Sequence, residues 1–267
     1  MPFAARGTRK IHYEQLGSGP GLVLVPGLGA GAQLFGTLPR RFARAGFTCA
    51  AMDPVGLPPS SPLPEDRFDF DEAADDLLAV TAELPGPVTL VGTSLGGKVA
   101  LRAAARRPEA IHRLVLLCSS AIASARGKRV YRTFELLCSE GSEISMLGEL
   151  MAPFLFGSTF LDKHSALVDD IIRSMQPTAE RGAFMRWQAR ALQEFDGEQD
   201  ARSCGIETLC LAGAEDTLTP PAEVERTAAV MPNSAYRVID EAGHSLLLES
   251  REAFDVVVDF VRQPAEP

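Results

Sequence analysis

Aromatic residues are scarce in this chain. Its 267 residues hold fourteen Phe, three Tyr and a single Trp. A platform that stacks single-stranded nucleic acid needs more rings, interleaved with basic side chains. Basic excess is missing too. Lys and Arg number 26 against 35 Asp and Glu, a net charge of −9. That balance argues against a phosphate-binding footprint, so no nucleic-acid partner is expected. No run of ~18 apolar residues occurs, so no membrane span is expected. Met1 to Lys10 lack the apolar stretch of a signal peptide, and the expected location is the cytoplasm. Five cysteines are present, an odd number, and none forms a C-x-x-C pair. Neither a disulfide framework nor a Cys-rich zinc site is expected. Cys118 and Cys210 lie inside apolar runs and read as small buried hydrophobes.

What remains is an ordinary globular composition, 46% hydrophobic and 23% charged. The length allows one or two domains and a large core without disulfides or metals. Short apolar runs recur at residues 22–25, 47–52, 88–91, 114–118, 208–211 and 236–239. Their hydrophobicity is continuous rather than alternating, which suits parallel strands buried on both faces. Helical patterns separate them. Ala73, Leu77, Val80 and Leu84 share one face; Leu95, Val99 and Ala103 share another; Phe254, Val257, Val258 and Val261 share a third. The expected fold is α/β, a mostly parallel central sheet flanked by helices and joined by right-handed crossovers.

The rhythm breaks across residues 121–202. Three helical patterns fill this stretch: Val130, Phe134 and Leu137; Leu167, Val168, Ile171, Ile172 and Met175; Phe184, Trp187, Ala191 and Phe195. Pro153 and Pro177 are expected to punctuate them. The division is therefore a core of residues 1–120 and 203–267 with a helical insertion at 121–202.

Gly92-Thr93-Ser94-Leu95-Gly96 matches G-x-S-x-G, with a buried strand before it and an amphipathic helix after it. A sharp strand-to-helix turn would hold Ser94 in a strained conformation and expose its hydroxyl above the sheet. A neutral hydroxyl needs a base to become a nucleophile. Of four histidines, His12 lies in an N-terminal strand-like segment, His112 precedes the fourth run and His164 falls in the insertion. These three read as surface or packing residues. His244 follows the last run, at the sheet edge where ligands sit in open α/β proteins. The group that orients its imidazole is expected to be Asp216, deep in the loop after residues 208–211, with Glu215 and Asp240 as rivals on spacing alone. The developing oxyanion needs two backbone N–H donors. Leu95, next to the nucleophile, and Leu28, in the turn Pro26-Gly27-Leu28-Gly29, are the candidates. The glycines of that turn do not follow the G-x-G-x-x-G spacing of a dinucleotide site.

With these motifs assembled, the chain resembles the α/β-hydrolase fold superfamily, and the order Ser94, Asp216, His244 is the order of that superfamily. The resemblance also rests on Asp53, Gly213-Ala214-Glu215-Asp216, Pro220, and Gly243-His244 with Glu249 after it. The insertion resembles the cap of serine esterases and of 3-oxoadipate enol-lactonase-like hydrolases. The resemblance implies an acyl-serine intermediate and no cofactor; no metal is expected, and the expected partner is a small-molecule ester or lactone, bound by a monomer or homodimer. Two departures stand out. Pro26 occupies the place of the usual His, and Pro58-Pro59 stiffens a loop that is usually glycine-rich. The altered turn keeps open non-hydrolytic chemistry on the same fold: acyl transfer, lyase or cyclase reactions. C–C bond hydrolysis and a small-molecule receptor are further alternatives. The insertion's Phe154, Phe156, Phe160 and Trp187 are candidates to line the pocket. Arg190, with Arg186 beside it, is a candidate for a substrate carboxylate, against the plainer reading of an exposed helical face.

Overall fold

Successive side chains of a strand point to opposite faces, and in the inner strands of this protein both faces are apolar. The computed structural model describes residues 2–64, 67–139, 146–174 and 178–263. The elements run β1 (Phe3–Arg6), β2 (Arg9–Leu16), β3 (Gly21–Val25), α1 (Leu38–Arg44), β4 (Thr48–Met52), α2 (Phe70–Thr81), β5 (Val88–Thr93), α3 (Leu95–Arg106) and β6 (Ile111–Leu117). Then come α4 (Ala125–Leu137), α5 (Leu147–Leu155), α6 (Ser158–Ser174), α7 (Ala179–Glu194) and α8 (Glu198–Ser203). The chain closes with β7 (Thr208–Gly213), α9 (Pro221–Val230), β8 (Ser234–Ile239), α10 (Leu246–Glu249) and α11 (Arg251–Arg262).

The strands form one sheet in the order β1-β2-β4-β3-β5-β6-β7-β8. Pairing is antiparallel for β1–β2 and β2–β4, and parallel from β4 to β8. Val23, Leu90, Leu114, Leu116 and Ala212 enter the core shared with α2, α3 and α9, while Leu22, Leu24, Val115, Leu117 and Leu211 enter the core shared with α1 and α11. The six apolar runs are β3 to β8. The β1–β2 hairpin was not marked as a pair in the sequence, because its half-exposed strands lack a continuous apolar signal.

Helix starts follow local chemistry. Asp69 accepts hydrogen bonds from the Asp71 and Glu72 N–H groups at the head of α2, and Ser250 caps α11 through Ala253. Pro153 lies inside α5, close to its end, instead of between helices; there the ring costs one hydrogen bond of the last turn. Met175 and Pro177 lie outside the described residues. The helices between β6 and β7 meet at a stem, where Ile122 bridges Asp196 and Gly197 N–H donates to the Ala121 carbonyl at 2.9 Å. α8 lies beyond that stem and packs on α3 and α9, so its contacts are with the sheet's own helices, although the expected boundary at 202 put it in the insertion. Lys98 of α3 is buried near the stem and donates to the Ser120 carbonyl; burial pushes its ammonium down to about 8.

Candidate active site

β5 ends at Thr93 and α3 begins at Leu95, so one residue must turn the chain. Ser94 does so at φ 55°, ψ −119°, a conformation that costs a non-glycine residue strain. The surrounding glycines make the turn possible. A Cβ on Gly96 would lie 2.2 Å from the Val25 carbonyl oxygen, and one on Gly92 would lie 2.6 Å from Gly97 Cα. The turn is held by neighbours: Ser94 N–H donates to the Leu117 carbonyl at 2.9 Å, and Ser119 Oγ donates to the Ser94 carbonyl at 2.7 Å.

His244 and Asp216 are brought together. Nδ1 of His244 lies 2.8 Å from Oδ2 of Asp216, and both residues are buried. The other carboxylate oxygen accepts the N–H groups of Leu218 at 2.8 Å and Thr219 at 2.9 Å. The acid is thereby fixed, and His244 Nε2 is left for another partner. The rivals separate cleanly. Glu215 accepts from the Thr159 hydroxyl, from the Thr159 N–H at 2.8 Å and from the Ser158 hydroxyl at 3.0 Å at the head of α6, and these bonds, that of the Thr159 hydroxyl foremost, hold its carboxyl below the usual range. Asp240 is exposed.

Ser94 and His244 line a common cavity of about 180 Å³, together with Leu28, Leu34, Tyr131, Met151 and Leu218. The lining is overwhelmingly apolar, and among the described residues it carries no carboxylate, Lys or Arg. Phe156 is part of this wall. Phe154 packs against Phe134 instead, and Phe160 stacks on Phe156 within the cap's own small core. Trp187 and Arg190 border a separate open groove with Arg67, Asp69 and Asp196. Helical periodicity gives a shared face but not which cavity that face meets, and Arg190 is exposed. Its guanidinium and that of Arg186 lie over the Trp187 ring.

Of the two oxyanion candidates, Leu95 follows Ser94 in the chain and Leu28 lines the same cavity. Leu95 opens α3, where the first N–H groups lack intrahelical partners. Leu28 sits in a turn closed by Ala30 N–H donating to the Gly27 carbonyl at 3.2 Å. Gly29 supplies the positive φ, +64°, that the turn requires at its second corner. The loop carrying the cis Pro58-Pro59 bond contributes Pro54, Val55, Leu63 and Pro64 to a neighbouring cavity of about 250 Å³, behind Pro26 and Leu95.

The contacts of several residues escaped the sequence reading. Glu249 accepts the N–H groups on both sides of His244, from Gly243 at 2.8 Å and Ser245 at 2.9 Å, and that of Gly157 at 2.9 Å. Burial raises its carboxyl against those bonds. His12 forms a second buried pair, its Nδ1 lying 2.6 Å from Asp53 Oδ2. Asp53 in turn accepts the Ala32 N–H at 2.7 Å and so anchors the far end of the Leu28 loop. Cys118, at φ 48°, places its thiol beside Asp216 and His244, with donor atoms of the three within 4.8 Å. Metal ligation needs a thiolate, and burial pushes this thiol well above its ordinary value.

The chain belongs to the alpha/beta hydrolase fold family, which it matches over residues 20–250. It is 29% identical over 251 residues to a pimeloyl-[acyl-carrier protein] methyl ester esterase of Neisseria meningitidis, covering 89% of this chain and 92% of that one. It is also 29% identical over 245 residues to polyketide synthase ThaQ of Burkholderia thailandensis, where it covers 91% of this chain but spans only 12% of the relative's length. Among solved structures it superposes on MGS-M2, an alpha/beta hydrolase enzyme from a Medee basin deep-sea metagenome library, with a TM-score of 0.90 at 20% identity, covering 100% of this chain and 99% of the other. Among the described residues, no helix is long and apolar enough to cross a membrane.

Proposed function

We propose that the protein is a serine hydrolase of small to medium carboxylic esters or lactones with an apolar acyl part. The observation that carries this reading is the buried Asp216–His244 bond beside the strained Ser94 turn, with Ser94 and His244 opening on one cavity. Relatives named as esterases support an ester-acting hydrolase.

In this mechanism Ser94 Oγ attacks the carbonyl carbon while His244 Nε2 takes its proton. Asp216 stabilises the imidazolium that forms. Negative charge gathers on the carbonyl oxygen, where the Leu28 and Leu95 N–H groups meet it. The C–O bond then breaks, the alkoxide leaves with the proton from His244, and Ser94 remains acylated. Water repeats the sequence, with His244 again as base, and releases the acid. In a lactone the leaving hydroxyl stays on the acyl group. No metal or cofactor takes part in this sequence.

The lining selects the acyl group. A wall whose described residues carry no Lys or Arg leaves a substrate carboxylate unpaired and desolvated, so neutral aliphatic chains are preferred. The helices between the stem and β7 act as the cap that supplies part of this wall. The substrate is a small molecule, and the enzyme works as a monomer or homodimer in the cytoplasm.

The test is turnover of a panel of p-nitrophenyl esters and lactones, with fluorophosphonate labelling located by mass spectrometry. Stoichiometric label on Ser94 and loss of turnover in Ser94→Ala are expected. Full turnover by Ser94→Ala on every accepted ester overturns the reading, and absence of label turns it toward non-covalent chemistry on the same fold.

A further inference from the structure

Gly29 is the most heavily engaged residue of the turn that presents Leu28. Its N–H donates to Gln188 Oε1 at 2.7 Å, and its carbonyl accepts from Arg181 Nε at 2.8 Å. A Cβ on Gly29 would lie 2.5 Å from Met185 Cγ, so the methionine presses on the bare α-carbon. Arg181, Met185 and Gln188 stand at i, i+4 and i+7 of α7, which is a single stripe of that helix. One face of one cap helix thus grips both polar groups and the open side of one glycine, more than 150 residues away in the chain.

The same loop is held from the opposite side. Asp53 accepts the Ala32 N–H, and its carboxylate closes over Gly31, where a Cβ would meet Oδ1 at 2.2 Å. Pro26, at the loop's start, offers no side-chain donor or acceptor of its own. The loop's conformation therefore rests on two outside grips, one from the sheet and one from α7.

The α7 grip is costly as mere packing. Gln188 is fully buried, and among the described residues its Nε2 has no hydrogen-bond partner; one guanidinium nitrogen of Arg181 is likewise buried without one. A buried donor left unmet destabilises a fold, and an aliphatic side chain at 188 would avoid that cost. What the glutamine adds is an acceptor aimed at a backbone N–H next to the oxyanion donor.

We propose that Arg181, Met185 and Gln188 position the Leu28 N–H for the oxyanion, so that α7 is a working part of the oxyanion hole. The proposal rests on the acyl-serine reading above. The peptide that carries the Gly29 N–H directly follows the one that carries the Leu28 N–H. Fixing the first limits rotation of the second, and preorganised donors are what stabilise the transition state. These are positioning residues, because they act on substrate only through the turn.

The test replaces Gln188 with Met, which keeps the length of the side chain and removes the acceptor. Hydrolysis of p-nitrophenyl butyrate is measured beside the affinity for an alkyl boronic acid, whose tetrahedral adduct on serine mimics the transition state. Gln188→Met is expected to lower kcat by about 10- to 100-fold with KM nearly unchanged, short of the ~10²–10³ lost with a whole oxyanion donor. Boronate affinity should fall by the same factor. Fluorophosphonate should still reach full labelling of Ser94, only more slowly. Exposed Glu194→Gln on the same helix should leave every readout as in the wild type. A lower melting temperature with kcat and boronate affinity unchanged would mean that Gln188 only packs the cap, and the proposal falls. Should Gln188→Met not fold, Arg181→Met breaks the second bond and is read the same way. Ser94→Ala is run in parallel. If it retains turnover, the acyl-serine reading fails; if it is dead while the α7 variants keep full kcat, only the positioning proposal fails.

Discussion

The sheet and the helices above it are built on different terms. In the sheet, neighbouring residues such as Leu114, Val115, Leu116 and Leu117 alternate between two large apolar cores. In the cap, a separate core of four buried residues, Ala152, Phe156, Phe160 and Val168, with Leu155, Leu161, Ile171 and Ile172 partly buried against it, joins α5 to α6. The cap also leans on the larger core through α4, α7 and the Leu147 and Met151 side chains of α5. The sheet carries Ser94, Asp216 and His244 on short loops fixed by backbone hydrogen bonds. The cap contributes walls and grips, which depend on how it docks. Rigid chemistry below and adjustable shape above is the lesson of the difference.

The largest effect should come from the sheet edge. Ser94→Ala or His244→Ala is expected to cut kcat on a good p-nitrophenyl ester by about 10⁴-fold or more, and the double variant should lose little further. Circular dichroism should show the wild-type fold in both. Next comes a stability contrast between the regions. Leu116→Ala should cost about 2–5 kcal/mol in urea unfolding. Val168→Ala, in the cap's small core, should cost about 1–2 kcal/mol. Equal losses would erase the distinction between a shared core and a local one.

Lys98 gives a pH-dependent version of the same test, since it lies where the cap joins the sheet. Its ammonium is held near 8 in the fold, while an unfolded chain restores the ordinary value near 10.5. Between those values the unfolded chain binds more protons, so this residue's contribution to stability rises as pH rises through that window. Relative to Lys98→Met, the wild type should gain about 3 kcal/mol between pH 7.5 and 10.5. A constant difference would contradict the burial.

Smaller effects should sort the cap residues. Phe156→Ala enlarges the cavity and should shift the preference toward longer acyl chains, by about 10-fold in relative kcat/KM between butyrate and octanoate esters. Arg190→Ala should change kcat/KM by less than about twofold, because the residue lies on an exposed face outside the Ser94 cavity.

Legibility followed the range of the interactions. The strands, the Ser94 turn and the His244 loop were readable because each is specified by consecutive residues: an apolar run, glycines at fixed offsets, a scarce histidine. Asp216 could be ranked above Glu215 and Asp240, but only the bond to His244 separates them physically. Gln188 and Arg181 were invisible, since their partner Gly29 is over 150 residues away. Nothing local distinguishes them from surface residues of an amphipathic helix. Trp187 and Arg190 drew attention by residue type, yet the face they share looks onto a different groove. The His12–Asp53 pair was hidden for another reason. It joins a half-exposed hairpin strand to the end of β4, and although Asp53 figures in the family resemblance, nothing local ties it to His12.

The hinge between α5 and α6 has one further consequence. Gly157 is bonded to Glu249 of the histidine loop, while Ser158 and Thr159 are bonded to Glu215, the residue before Asp216. Ser245 N–H also reaches back to the Leu155 carbonyl at 2.8 Å. Four residues of the stretch 155–159 thus staple the proposed acid's loop to the base's loop. Loosening that staple would part His244, the proposed proton acceptor, from Asp216 while the sheet stayed intact. On gradual addition of urea, hydrolysis should therefore fade at a lower concentration than the far-ultraviolet signal of the sheet.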